Sequence, residues 1–213
     1  LWLACLRIGV INQLSFGSRP DPREIWVYIL LGVPMSAVAV VSIYVLYLPL
    51  SYFFPEFVTA ILFEYSPAIW WRTEPHFLLE NLVDALAFVV IVPVVEEIFF
   101  RGFLLNRWWR KYGVPRAVAF SSVVFAILHV DIIGALLFAV IVSLIYVKTK
   151  SLIGPIIVHA SNNAIPILEN LIEGFVTGEV KMAYTLDEFR AYWWLALLGA
   201  AVGVPWLLWF VKR

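Results

Sequence analysis

Apolar residues run through most of this chain in long blocks, and polar side chains interrupt those blocks at only a few positions. The run 25–55 contains no charged residue, and 191–211 is a second uninterrupted run. Both reach the roughly 20 residues that a helix needs to cross a bilayer. Four further runs, each shorter or broken by Glu, His, Asn or Pro, lie at about 82–106, 117–130, 132–147 and 151–170. Such spans are typical of helices inside a bundle, where polar groups face protein or water.

The two remaining stretches are less regular. Residues 1–14 resemble a seventh segment, and because the chain begins at Leu1 rather than Met we expect it to be trimmed at this end. The stretch 54–77 is rich in aromatic residues but carries charges, so we interpret it as an interfacial or re-entrant helix. Repeats and linkers are absent from the sequence. The pattern therefore predicts an all-α, polytopic transmembrane helical bundle of about six to seven segments, forming a single integral-membrane domain, 1–213.

Composition supports this class. The chain is 63% hydrophobic and only 14% charged, with a mean hydropathy of +0.92, whereas soluble domains average about 45–50% apolar and about 25% charged. The formal net charge is zero, which gives no reason to expect nucleic acid as a partner; the lipid bilayer is the expected one. Cys5 is the single cysteine, so an intrachain disulfide is excluded and a cysteine-ligated zinc site has no basis.

The basic residues predict an orientation. The segment ends 15–24, 107–116, 148–150 and 212–213 carry ten Lys and Arg residues, against three in 51–80 and 171–190. By the positive-inside rule the first set of ends is cytoplasmic. The sequence therefore predicts a multi-pass protein whose basic loops face the cytoplasm.

Two adjacent acids, Glu96 and Glu97, lie in the run 85–100, which otherwise reads as membrane-spanning helix and is followed by Arg101. An acid at the centre of such a helix costs roughly 2.5–3.5 kcal/mol on insertion scales. Glu97 and Arg101 are spaced i, i+4 and share a face, while Glu96 points about 100° away. We therefore expect Arg101 to neutralise Glu97 and Glu96 to face a different environment. The alternative is that both acids pair with basic groups and only hold helices together.

His129 ends the next apolar run, one helical turn after Phe125. The midpoint between Glu96 and His129 falls in the basic turn 110–115, and antiparallel helices joined by such a turn bring equidistant residues to one depth. We therefore expect Glu96 and His129 to meet, with Phe125 beside the imidazole. Taken alone, a histidine in an apolar helix is as readily a packing residue.

His159 and Asn163 share a face of the segment 151–170 by their i, i+4 spacing, and His159 lies within about one turn of the depth of Glu96. Asn162 is the alternative amide, although it leaves that face. His76 falls in the aromatic outer stretch and is interpreted as a surface residue. Asp131 is interpreted as a helix-end residue.

One glutamate, two histidines and one asparagine at a common depth are what hydrolysis of an amide requires. Glu96 can take a proton from water and His129 can orient that water. His159 and Asn163 can donate hydrogen bonds to the oxyanion that forms on the scissile carbonyl. The catalytic core is predicted to span 82–170, with its cavity open towards the cytoplasm.

In these motifs the chain resembles the CPBP family of intramembrane proteases, which process CAAX proteins and bacteriocins and are also called Abi proteins. Glu96 to Arg101 is similar to EExxxR, Phe125 to His129 to FxxxH, and His159 to Asn163 to HxxxN, in the family's order. The resemblance covers about residues 82–170. It implies an endopeptidase related to the Ras-converting enzyme, acting on a protein or peptide substrate that is prenylated in CAAX processing.

The resemblance also implies roles. Glu96 is the catalytic acid, His129 its partner, and His159 with Asn163 the oxyanion group, while Glu97 and Arg101 are supporting residues. The family is commonly labelled a metalloprotease, and Glu96, His129 and His159 could hold one divalent metal such as zinc. A metal-free, glutamate-dependent mechanism is the alternative we favour. HExxH is absent from the sequence, so a zinc site of that type has no support.

Two other functions are compatible with the sequence. A non-catalytic scaffold or immunity-type protein would keep the fold, but the motif residues are intact here. A proton-relay transporter would also bury carboxylates. The chain lacks the inverted repeat and the matched pair of interrupted helices that favour a transporter.

Overall fold

The computed structural model of this chain describes residues 19–63, 77–178 and 185–212, and within those ranges every regular element is a helix. The predicted all-α class is therefore confirmed. The expected N-terminal segment 1–14, Cys5, His76 and most of the aromatic stretch lie outside the described residues.

The first long helix, α1, spans Pro22–Phe53. Asp21 caps it in a capping box with Glu24, and Pro22 occupies the first turn, where a missing N–H costs nothing. After a break at Phe54, the eight-residue helix α2 spans Pro55–Leu62. This is the described part of the stretch that was interpreted as interfacial or re-entrant.

The next helix, α3, is continuous from Phe77 to Tyr112 but not uniform. Its α-helical segments Phe77–Leu86, Val92–Glu97 and Asn106–Tyr112 are separated by two π-helical segments, Ala87–Ile91 and Ile98–Leu105. π-Helical turns are rare and are frequent at functional sites. The two acids lie at the end of the short α segment between them.

A tight turn joins α3 to α4, which spans Val114–Ile127. Gly113 makes that turn with φ +78°, a conformation that side chains rarely adopt. Helix α5 spans Ile132–Thr149, and the Asp131 carboxylate caps it by accepting from the Gly134 N–H. Asp131 is thus at a helix end, as predicted.

Three further helices complete the described fold: α6 spans Ile153–Thr177, α7 spans Leu186–Ala191 and α8 spans Leu195–Val211. Gly199 and Gly203 of α8 face α1 so closely that a Cβ on Gly199 would lie 2.6 Å from the Ala37 carbonyl oxygen. Small residues four apart allow this close packing of membrane helices.

Three of the described helices are long and apolar enough to cross a membrane: Pro22–Phe53, Leu78–Tyr112 and Ile132–Thr149. Many large apolar side chains on the outside of the bundle are exposed, while the core lies between α1, α3, α4, α5 and α6. The chain is a membrane protein, and the exposed apolar surface is what lipid would cover.

The sequence-based boundary of α4 was wrong in one respect. The apolar run was taken to continue as helix to residue 130, which placed His129 inside it, but α4 ends at Ile127. Because α5 begins at Ile132 and packs against α4, the chain must reverse direction within 128–131. His129 therefore lies in a turn, where its backbone N–H bonds to the Ala126 carbonyl.

Candidate active site

The two glutamates of α3 point into different surroundings. Glu97 is fully buried, whereas the Glu96 side chain keeps 29% of its surface exposed. This is the difference that their 100° separation on the helix predicted. One acid is part of the protein core, and the other keeps part of its side chain exposed.

Glu97 is the centre of a buried ion-pair network. Its Oε1 accepts from Arg101 Nη1 at 2.8 Å and lies 2.8 Å from His159 Nδ1. Arg101 is 1% exposed, donates through Nη2 to the Ala139 carbonyl at 3.1 Å and lies 4.9 Å from the centroid of the Phe125 ring. The expected Glu97–Arg101 contact is present. The pairing of the buried charges offsets part of their desolvation cost, although Glu97 Oε2 and Arg101 Nε have no hydrogen-bond partner among the described residues.

His159, on α6, lies between the two glutamates. Its Nδ1 contacts Glu97, and its Nε2 lies 3.8 Å from Glu96 Oε2. The edge of the imidazole packs on the Phe138 ring at 5.0 Å between centroids. Since a carboxylate accepts and does not donate, Nδ1 carries a proton towards Glu97, and in the neutral ring Nε2 then presents a lone pair to Glu96.

His129 is held in a comparable way by the end of α4. Its Nδ1 lies 2.7 Å from the Phe125 carbonyl oxygen, which also accepts from the Leu128 N–H at 3.3 Å where the helix ends. Its ring stacks on the Phe125 ring at 4.2 Å between centroids, with 19° between planes, as the spacing predicted. A carbonyl can only accept, so Nδ1 donates and Nε2 again presents a lone pair, 3.9 Å from Glu96 Oε2.

Three acceptor atoms therefore converge: Glu96 Oε2 and the Nε2 atoms of His129 and His159. Their separations of 3.8–3.9 Å exceed direct hydrogen-bond length, and none of the described residues donates to Glu96 Oε2. Such a set attracts a proton, a water molecule or a cation. We call Glu96, Glu97, Arg101, His129 and His159 the polar cluster.

The cluster can be compared with a metal site. Histidine ligands usually donate the other ring N–H to a carboxylate or carbonyl, as His129 and His159 do here. The Glu96–imidazole separations are, however, wider than the roughly 3.4 Å between neighbouring ligands of tetrahedral zinc. Across the described ranges, no group of three or more His, Cys, Asp or Glu residues is placed to hold a metal ion. The residues as placed do not fit the ion, and we derive no step through one.

Asn163 lies one turn after His159 and is buried. Its Nδ2 donates to the backbone carbonyl of Phe88 at 2.9 Å. One of its two amide hydrogens is thus engaged by α3, and its role at an oxyanion stays a prediction. The alternative amide, Asn162, turns towards α1, where its Oδ1 accepts from Ser36 Oγ at 3.0 Å.

Sequence reasoning missed three features of this site. The contact of Glu97 with His159 was not anticipated, because i, i+4 spacing reveals partners on one helix but not across helices. Phe138, which borders His159, had no motif to mark it. The π segments of α3 had one visible signal, Pro93, a proline inside an apolar helix just before the acids.

Comparison with known proteins gives an independent result. Residues 78–165 match the family model described as "Type II CAAX prenyl endopeptidase Rce1-like". A protein of Bacillus subtilis, YdiL, named as a candidate membrane peptidase, is 28% identical over 99 residues. The match covers 43% of this chain and 41% of that relative, so it spans less than half the length of either protein. No solved structure matches the chain.

Proposed function

Because residues 78–165 match the Rce1-like family model, we propose that this chain is an intramembrane endopeptidase in which Glu96 activates the attacking water. The observation that carries the proposal is the convergence of Glu96 Oε2 with two imidazole Nε2 atoms at 3.8–3.9 Å. All three groups lie inside the segment that matches the family. Such an arrangement can bind one water molecule and take a proton from it.

The proposed reaction begins with that water. Its oxygen attacks the carbonyl carbon of the scissile amide while Glu96 accepts one of its protons. The Nε2 lone pair of His129 accepts from the other O–H and so directs the attack. When the C–N bond breaks, Glu96 returns its proton to the leaving amine, so that the carboxylate is regenerated. General acid–base assistance of this kind contributes typically 10²–10⁴-fold.

The oxyanion needs donors. The polar cluster contains two carboxylates, Glu96 and Glu97, and one permanent cation, Arg101. It is therefore one positive charge short of neutrality. We propose that the proton which the three converging acceptors attract is held on Nε2 of His159, while its Nδ1 stays towards Glu97. That Nε2–H is the proposed oxyanion donor. Asn163, which the sequence predicted as a second donor, bonds through Nδ2 to the Phe88 carbonyl.

The proposed substrate is a CAAX-type protein or peptide, because the family description names that class. The purified chain in lipid vesicles should cleave a farnesylated CAAX peptide, with the released tripeptide detected by mass spectrometry. The same peptide without the farnesyl group tests whether the lipid is recognised. If neither peptide is cleaved, nor a panel of leader and membrane-protein peptides, the scaffold interpretation replaces this one.

Metal dependence is tested separately. We propose the metal-free mechanism, because the polar cluster supplies its own base and donors. Turnover should be unchanged after treatment with a chelator, in a sample that elemental analysis shows to be free of metal. Loss of turnover on chelation and recovery with zinc would instead assign Glu96, His129 and His159 as ligands, where the ion would act as a Lewis acid.

A further inference from the structure

The helix that carries the acids has a backbone carbonyl that its own helix cannot satisfy. In the π segment before the acids, the Val92 N–H bonds to the Ala87 carbonyl, five residues back. The next carbonyl in that pattern, Phe88, would need the N–H of residue 93. That residue is Pro93, which has none.

A side chain from another helix fills this gap. The Phe88 carbonyl accepts from Asn163 Nδ2 at 2.9 Å. Asn163 is buried on α6, one turn from His159. An unpaired carbonyl at this depth would be costly, since a membrane interior offers no water to satisfy it.

This contact fixes α3 close to the reacting groups. Phe88 lies at the start of the disturbed region and Glu96 lies three residues after Pro93. The same helix, α6, holds Glu97 through His159 at 2.8 Å. α3 is thus attached to α6 on both sides of Pro93, and Glu96 is presented from the short segment between.

We propose that Asn163 is a positioning residue: its amide replaces the backbone donor that Pro93 lacks and thereby fixes the place of Glu96 relative to the two imidazoles. This assignment differs from an oxyanion donor, which would touch the substrate. Only the expected effect of Asn163 on turnover rests on the proposed function. The hydrogen-bond replacement itself can be measured without a substrate.

The test is a double-mutant cycle of Pro93→Ala and Asn163→Ala. Alanine at 93 restores an N–H that can bond to the Phe88 carbonyl, so the asparagine becomes dispensable. Asn163→Ala alone should lower kcat about 10- to 100-fold, since small misplacements of reacting groups have effects of this size. It should also shift the pH profile of kcat, because the surroundings of Glu96 change. In the Pro93→Ala background, removing Asn163 should change kcat less than about threefold.

Asn162→Ala is the matched control, because it removes an asparagine that bonds across to α1 rather than α3. It should leave the pH profile unchanged. If the double variant is as slow as Asn163→Ala while Pro93→Ala is active, Asn163 acts on the substrate and the proposal is overturned.

Melting temperatures provide a readout independent of activity. Asn163→Ala should lower the melting temperature in the wild-type background and much less in the Pro93→Ala background. Additive losses would overturn the proposal even if Pro93→Ala were inactive. Failure of the proposed function would give a different result. Glu96→Gln would then turn over substrate at the wild-type rate, while the effect of Asn163→Ala on the melting temperature would still depend on Pro93.

Discussion

At the scale of single residues, the site depends on two adjacent glutamates with opposite environments. Glu97 is fully buried and bonded to Arg101 and His159, while Glu96 is partly exposed and faces the imidazole Nε2 atoms. The spacing on one helix was enough to predict this difference. The partner that Glu97 finds on α6 was not predictable, because it depends on how two helices pack.

Replacing Glu97 by Gln should therefore destabilise the protein. It removes the negative charge that compensates Arg101, and breaking a buried pair costs about 3–5 kcal/mol. Thermal unfolding in detergent micelles measures the effect. Glu96→Gln is the matched control and should unfold near the wild-type temperature, since the Glu96 side chain is 29% exposed. Equal melting temperatures for the two variants would contradict the assigned structural role of Glu97.

Asp131 gives a pH dependence that can be checked. Burial raises its pKa above the ordinary value of 3.8, and hydrogen bonds from Ser42 and Gly134 and the charge of His129 oppose the rise in part. Because the pKa of Asp131 is higher in the folded state than in the unfolded chain, its protonated form favours folding. This contribution to stability is complete below about pH 4 and is lost as the pH rises through the folded pKa. Wild type should therefore lose stability relative to Asp131→Asn as the pH rises above about 4.

The amide oxygen that Asp131→Asn introduces can still accept from the Ser42 hydroxyl and the Gly134 N–H, so the cap is kept. Melting temperatures of both proteins across this pH range provide the comparison. Two curves that stay parallel would show that Asp131 does not titrate differently in the folded protein.

At the scale of helices, most elements were predictable from the apolar runs, and the exceptions have local causes. α4 ends before His129 because the next helix starts at Ile132 and the chain must turn first. The two π segments of α3 lie on either side of the short α segment that contains Pro93, and no periodicity in the sequence reports them. Boundaries set by hydropathy alone do not include these effects.

The turn that carries His129 is anchored on α1. The Tyr47 hydroxyl donates to the Val130 carbonyl at 2.8 Å, and the Ser42 hydroxyl donates to the Asp131 carboxylate. This helix lies outside the segment 78–165 that matches the family. The bundle thus uses a flanking helix to hold a predicted catalytic histidine.

Tyr47→Phe should loosen that turn. Loss of the hydroxyl leaves the Val130 carbonyl without this donor, at a cost of about 1 kcal/mol, and kcat should fall several-fold because His129 is less well placed. Kinetics and thermal unfolding are measured on the same preparation. Tyr112→Phe makes the same chemical change at the exposed turn between α3 and α4 and should change neither quantity. If both variants behave alike, Tyr47 does not position His129.

At the scale of the whole molecule, the charge distribution predicts a fixed orientation. Lys111 lies in the last turn of α3, at the basic end of the helix, and Asp187 lies on α7, near the end that was predicted to face outward. In a Cys5→Ser background, a membrane-impermeant maleimide applied to intact cells should label Asp187→Cys and should label Lys111→Cys only after lysis. The reverse pattern would invert the orientation and place the basic loops outside.

We propose that Glu96 activates the water that hydrolyses a peptide bond inside this membrane bundle. The most direct measurement is the rate of peptide release by wild type and Glu96→Gln in identical lipid vesicles, with the melting temperature of each recorded. Glu96→Gln should lose turnover by at least about 100-fold and should melt near the wild-type temperature. A folded Glu96→Gln variant that releases peptide at the wild-type rate would contradict this proposal.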